Sequence, residues 1–113
     1  MTKREQYGLV FQKNKNTIDG SDVFFCRKPG KVDKHDYLKF FLNQLDDIEV
    51  KGLRDDLDEA LKGNYYEEYF VSDGIPDSIH LKYPNVTFEY VDLTLPMVDL
   101  KALLQEWLDF INQ

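Results

Sequence analysis

Val86-Thr-Phe-Glu-Tyr-Val-Asp-Leu-Thr-Leu-Pro96-Met-Val-Asp-Leu100-Lys-Ala-Leu-Leu-Gln-Glu-Trp107-Leu-Asp-Phe-Ile111 carries two periodicities in one run. From Val86 to Leu93, Val86, Phe88 and Tyr90 oppose Thr87, Glu89 and Val91, the two-residue period of a strand with one wet face. Counted from Leu100, the apolar residues Leu103, Leu104, Trp107, Leu108 and Ile111 fall at 3, 4, 7, 8 and 11, the stripe of an amphipathic helix. Pro96 ends the strand and preorganises the helix start, and Asp99 sits where the helix dipole favours a negative charge. Trp107 lies on the stripe and reads as core. A strand leading into a helix places the chain among mixed folds.

Immediately upstream, Ser78 to Tyr83 alternates Ile79, Leu81 and Tyr83 with His80 and Lys82, and Pro84-Asn85 supplies a turn, so the two runs are expected to pair as a hairpin. Asn64 to Val71, closed by Ser72-Asp73-Gly74, reads as a strand, although Glu67 and Glu68 also suit a helix extension. Leu53 to Lys62 reads as a short helix with Leu53, Leu57, Ala60 and Leu61 on one face and Gly63 as its C-terminal cap. Before it, Tyr37, Leu38, Phe41, Leu42, Leu45 and Ile48 form a helical stripe with Asp33 as N-cap and an end near Asp47. The first strands are expected at Tyr7–Gln12 and Asp22–Arg27, paired across a polar loop containing Asp19-Gly20. The expected fold is therefore α+β, a single domain over residues 1–113 in the order ββααβββα, with one antiparallel sheet of about five strands and helices on one face.

A length of 113 residues, with 42% apolar and 14% aromatic content, suits one core. No run is long enough to cross a bilayer, and Met1–Gln6 has charges without an apolar stretch behind them, so neither membrane nor secretion is expected. The single cysteine, Cys26, cannot form an internal disulfide, and a cytoplasmic setting is expected.

Net charge is −7, unevenly placed: residues 1–34 carry eight basic and four acidic groups, the remaining 79 six basic and seventeen acidic. That balance argues against direct binding of nucleic acid or anionic membrane, because phosphate contacts need an excess of Lys and Arg. It suits either simple solubility or attraction of a basic protein.

No catalytic signature is legible, and no cofactor, metal or enzymatic activity is expected. His35 and His80 lie far apart, with no metal-ligand spacing, and read as surface residues. Asp55-Asp56-Leu57-Asp58-Glu59 lacks the glycine and alternation of a calcium loop, and its carboxylates diverge on a helix. Cys26 lies among apolar residues and reads as a small buried hydrophobe, although a dyad with His35 across a turn is conceivable. Phosphate-binding glycine loops are absent. What remains is surface. Tyr65, Tyr66, Glu67, Glu68 and Tyr69 combine rigid aromatic area with carboxylates, the composition of an interface, and Asp55, Asp56, Asp58 and Glu59 precede them as an acidic helix. These nine residues form the expected partner-binding set; the plainer reading is one core face and one solvated face.

Residues 86–111, a strand followed by Leu-Pro and a helix carrying Trp107-x-x-Phe110, resemble the termini of small acidic immunity proteins of bacterial polymorphic toxin and contact-dependent growth inhibition systems. The resemblance implies a one-to-one inhibitor that caps a cognate toxin, often a nuclease, in the producing cell. It transfers no binding residue. Such a role is physically coherent, since an acidic protein can fill the basic cleft in which a nuclease holds phosphates. The alternative is a non-catalytic adaptor or homo-oligomeric domain whose tyrosine-rich strand pairs at a sheet edge; in the first reading the free protein is a monomer or weak dimer.

Overall fold

The structure is a computed structural model that describes residues 2–63, 68–70 and 78–112, with residues 68–70 and Ser78 described by their backbone. The fold is α+β. Its elements run α1 (Lys3–Gln6), β1 (Val10–Lys15), β2 (Asp22–Arg27), α2 (Asp36–Gln44), α3 (Asp47–Leu61), β3 (Glu68–Phe70), β4 (Ser78–Lys82), β5 (Asn85–Phe88), a 3₁₀ turn (Glu89–Val91), β6 (Leu93–Pro96) and α4 (Met97–Ile111).

The strands form two antiparallel sheets, the hairpin β1–β2 and a four-stranded meander β3–β4–β5–β6, in place of the single five-stranded sheet expected. Phe11 and Phe24, on the inner side of the hairpin, pack against Trp107 and Phe110 of α4 at ring separations of 4.9 and 5.6 Å. The hairpin thereby buries its apolar face on a helix and needs no third strand.

Register among β4, β5 and β6 sets Ile79 against Phe88, Leu81 against Val86, Val86 against Leu95 and Phe88 against Leu93, so these apolar residues share one buried face. His80, Thr87 and Thr94 share the opposite, wet face, where the two threonine hydroxyls meet at 2.8 Å. The core is closed from the helix side by Leu38, Phe41 and Leu42 of α2, Val50, Leu53 and Leu57 of α3, and Leu100, Leu103, Leu104 and Trp107 of α4.

Several boundaries depart from the sequence expectation, each for a local reason. Thr2 and Glu5 form a capping box, so the chain opens with a short helix and β1 starts three residues late. That shift carries the polar Lys13-Asn14-Lys15, expected as loop, into the ladder with Asp22–Phe24. Asp33 is not the cap of α2: its carboxylate accepts from the His35 amide in the preceding turn, and the helix begins at Asp36. The stripe ending in Ile48 is two helices. Asp46 caps α3 and Glu49 bonds back to the Asp46 amide, so α3 starts six residues before Leu53 and leaves Ile48 on its outer side, 75% exposed. Gly63, at φ +97°, follows the end of α3 in the left-handed conformation expected there.

The strand expected from Val86 to Leu93 breaks after Phe88. Asp92 adopts a left-handed φ of 53°, turning the chain back so that Leu93 and Leu95 reach the core as β6, while Tyr90, expected inside, is 78% exposed. Tyr65, Tyr66, Glu67 and Val71, expected in a strand, lie outside the described residues.

Candidate functional site

Cys26 is buried on β2, and burial pushes its thiol up to about 12, away from the thiolate that a nucleophile requires. Its sulfur lies 3.9 Å from the Arg27 carbonyl. The His35 ring packs at a tilt against Tyr7, centroids 5.5 Å apart, and faces Asp33 at 3.5 Å. His80 Nε2 lies 3.1 Å from the Glu89 carboxylate on the wet side of the meander. Among the described residues no three His, Cys, Asp or Glu side chains converge on a point that could hold a metal ion.

The acidic residues of α3 divide by the geometry of the helix. Val50, Leu53, Leu57 and Ala60 bury its inner face. Asp55 and Glu59, four residues apart, are exposed on the outer face. Asp55 pairs with its neighbour Arg54 at 3.1 Å and Glu59 with Lys62 at 3.6 Å. Both are solvent-facing pairs that gain little in water and exchange readily for a partner's cation. Asp56 is half-buried on one flank and has no cation at ion-pair distance among the described residues.

Asp58 lies on the other flank, against α4. Lys101 donates to its Oδ1 at 2.6 Å and Lys62 approaches Oδ2 at 3.1 Å; Lys101 first, then Lys62, hold the carboxyl below its usual range. One turn earlier Arg54 donates to Gln105 of α4 at 3.0 Å. Asp58 therefore fastens α3 to α4, whereas Asp55 and Glu59 are presented outward.

Glu68 and Tyr69 lie on β3, the outermost strand of the meander, in register with His80 and Ile79 of β4. Tyr65, Tyr66 and Glu67 fall outside the described residues. Of the nine residues singled out from sequence, the structure thus joins Asp55 and Glu59 on one outer face and sets Asp56 and Asp58 on opposite flanks.

No known protein family, curated protein or solved structure matches the chain. Among the described residues, no helix is long and apolar enough to cross a membrane.

Two features escaped the sequence reading. Lys101, Arg54 and Gln105, which decide how the acidic helix is presented, belong to a contact between residues more than forty positions apart and leave no local signal. A cleft of about 390 Å³ with Asp46 and Asp47 at its rim opens where α2 meets α3; the spacing Asp46-x-x-Glu49 that starts α3 was legible and marks its position.

Proposed function

We propose that this chain is a non-catalytic binding protein of the immunity type, which neutralises a basic toxin, a nuclease being the chemistry that best suits its charge, by one-to-one association in the cytoplasm. The observation that carries this reading is the outer face of α3. The helix bears six carboxylates against two cations, and Asp55 and Glu59 point away from the fold on a rigid, fully helical support. A fixed acidic face of this kind accelerates capture of a cationic partner and competes with phosphate for its cleft. The position of β3 at the edge of the meander favours the second reading, an adaptor or self-associating domain that pairs through that strand.

Co-expression separates them. The product of the adjoining coding sequence should be toxic alone, harmless together with this chain, and should co-elute with it as a one-to-one complex. A stable dimer of the free chain at micromolar concentration, with no such complex, would favour the adaptor and overturn the inhibitor.

A further inference from the structure

The ladder of the β1–β2 hairpin leaves one edge of β2 open beside the cleft at the α2–α3 corner. The Asn16 amide donates to the Ser21 carbonyl at 2.7 Å, and from that pair the inward-bonded positions recur every second residue through Val23 and Phe25. Phe24 and Cys26 consequently aim their backbone groups away from β1. At Cys26 both are satisfied by one side chain: its N–H donates to Asn43 Oδ1 at 2.8 Å, and Asn43 Nδ2 donates to its carbonyl at 3.0 Å. The Asn43 amide thus stands in for a neighbouring strand over one residue. One pleat further along, at Phe24, no such substitute is present among the described residues.

Beyond Asn43 the cleft opens on this same edge, lined by Phe24, Asn43, Leu45, Asp46, Asp47 and Trp107. Phe24, Leu45 and Trp107 supply its apolar part, and the exposed Asp46 and Asp47 supply carboxylates. Asp46 uses one oxygen to cap α3, and Asp47 has only a loose 3.7 Å contact with Lys51. Open backbone groups, a limited apolar contact surface and two carboxylates are the three elements by which a sheet edge recognises an extended basic segment.

We propose that β2 at Phe24, with this cleft, takes up an extended lysine- or arginine-bearing segment of a partner protein by strand addition. An apolar side chain of the segment lies over Leu45 and Trp107, and a flanking cation meets Asp46 and Asp47. The site is separate from Asp55, Asp56, Asp58 and Glu59 and does not depend on the role given to them above.

The probe is a capped six-residue peptide alternating lysine and leucine, titrated against the full chain. Trp107, the single tryptophan, reports by fluorescence, and the Phe24 amide resonance reports by NMR. Saturable binding with a shift of the Phe24 amide is expected, weaker by about tenfold or more when glutamate replaces lysine. A strand pairs through one edge, so of two peptides N-methylated at every leucine or at every lysine, one should lose binding. Asp47→Lys should weaken the parent peptide about tenfold, whereas Asp55→Lys with Glu59→Lys should leave it nearly unchanged. The peptide comparisons use the unaltered protein, so misfolding of a variant does not protect the proposal. Absence of binding, equal binding of the glutamate peptide, retention by both N-methylated peptides, or equal sensitivity to the Asp55 and Glu59 reversals would each overturn it.

Discussion

Asp99 is only 6% exposed, yet it holds its charge because Lys3 and Tyr7 close on it at 2.8 and 2.6 Å. Burial alone raises its carboxyl; the bonds from Lys3 and then Tyr7 outweigh that and bring it below 3.8, its ordinary value. A carboxyl depressed in the folded state contributes stability that is complete above its unfolded value and is lost as pH falls through the folded one. Asp99→Asn should therefore lower stability at pH 7 by about 1–2 kcal/mol in chemical denaturation. The difference from the parent should begin to shrink below pH 3.8 and close once pH has fallen through the lower folded value, where the parent residue becomes neutral. A gap that stays constant on acidification would remove the ion pair from the account. The sequence placed Asp99 in a first helical turn, and there it is. Its partners, more than ninety positions away, are set by where α1 docks: Glu106 accepts from the Lys3 and Arg4 amides at 2.9 and 3.1 Å, and periodicity carries no trace of that contact.

At the scale of elements, helices whose apolar stripe and caps are both local were readable, and α4 is the clearest case. Its stripe from Leu100 to Ile111 lies as expected, with Leu103, Leu104, Trp107 and Leu108 buried. Where two helices meet without a loop, one stripe runs into the next, and only the Asp46–Glu49 box separates α2 from α3. β5 and β6 illustrate the opposite limit. Alternation continued through Glu89–Val91, and the break was imposed by a single residue, Asp92, held at φ 53° with its carbonyl accepting from Lys34 at 3.1 Å. Asp and Asn tolerate that region better than other residues with a Cβ, and β-branched side chains tolerate it least. Asp92→Val should therefore cost about 1–2 kcal/mol in thermal or chemical unfolding, while Asp92→Gly should be nearly neutral. Equal effects of the two substitutions would mean that the conformation of Asp92 does not limit the β5–β6 connection.

For the whole molecule, the decisive property is where the charge lies relative to what it holds together. A net charge of −7 alone says little about function, since solubility explains it equally well. The two flanks of α3 offer a sharper test, because they separate carboxylates fastened to the fold from carboxylates turned outward. Reversing Asp55 and Glu59 together to lysine removes the solvent-facing pairs with Arg54 and Lys62, and both side chains are exposed, so the unfolding midpoint should hardly move. Association with a basic partner should slow by roughly tenfold at low ionic strength, with dissociation little changed, and the difference should fade as salt screens the field. Asp58→Asn should do the reverse: α3 loses its tie to Lys101 at 2.6 Å and stability falls, while the association rate stays close to that of the parent. Stopped-flow binding at two salt concentrations, beside denaturation of the same variants, measures both. If all three acids affected association and stability alike, the outer face would have no special place in capture, and the negative charge of the chain would serve solubility alone.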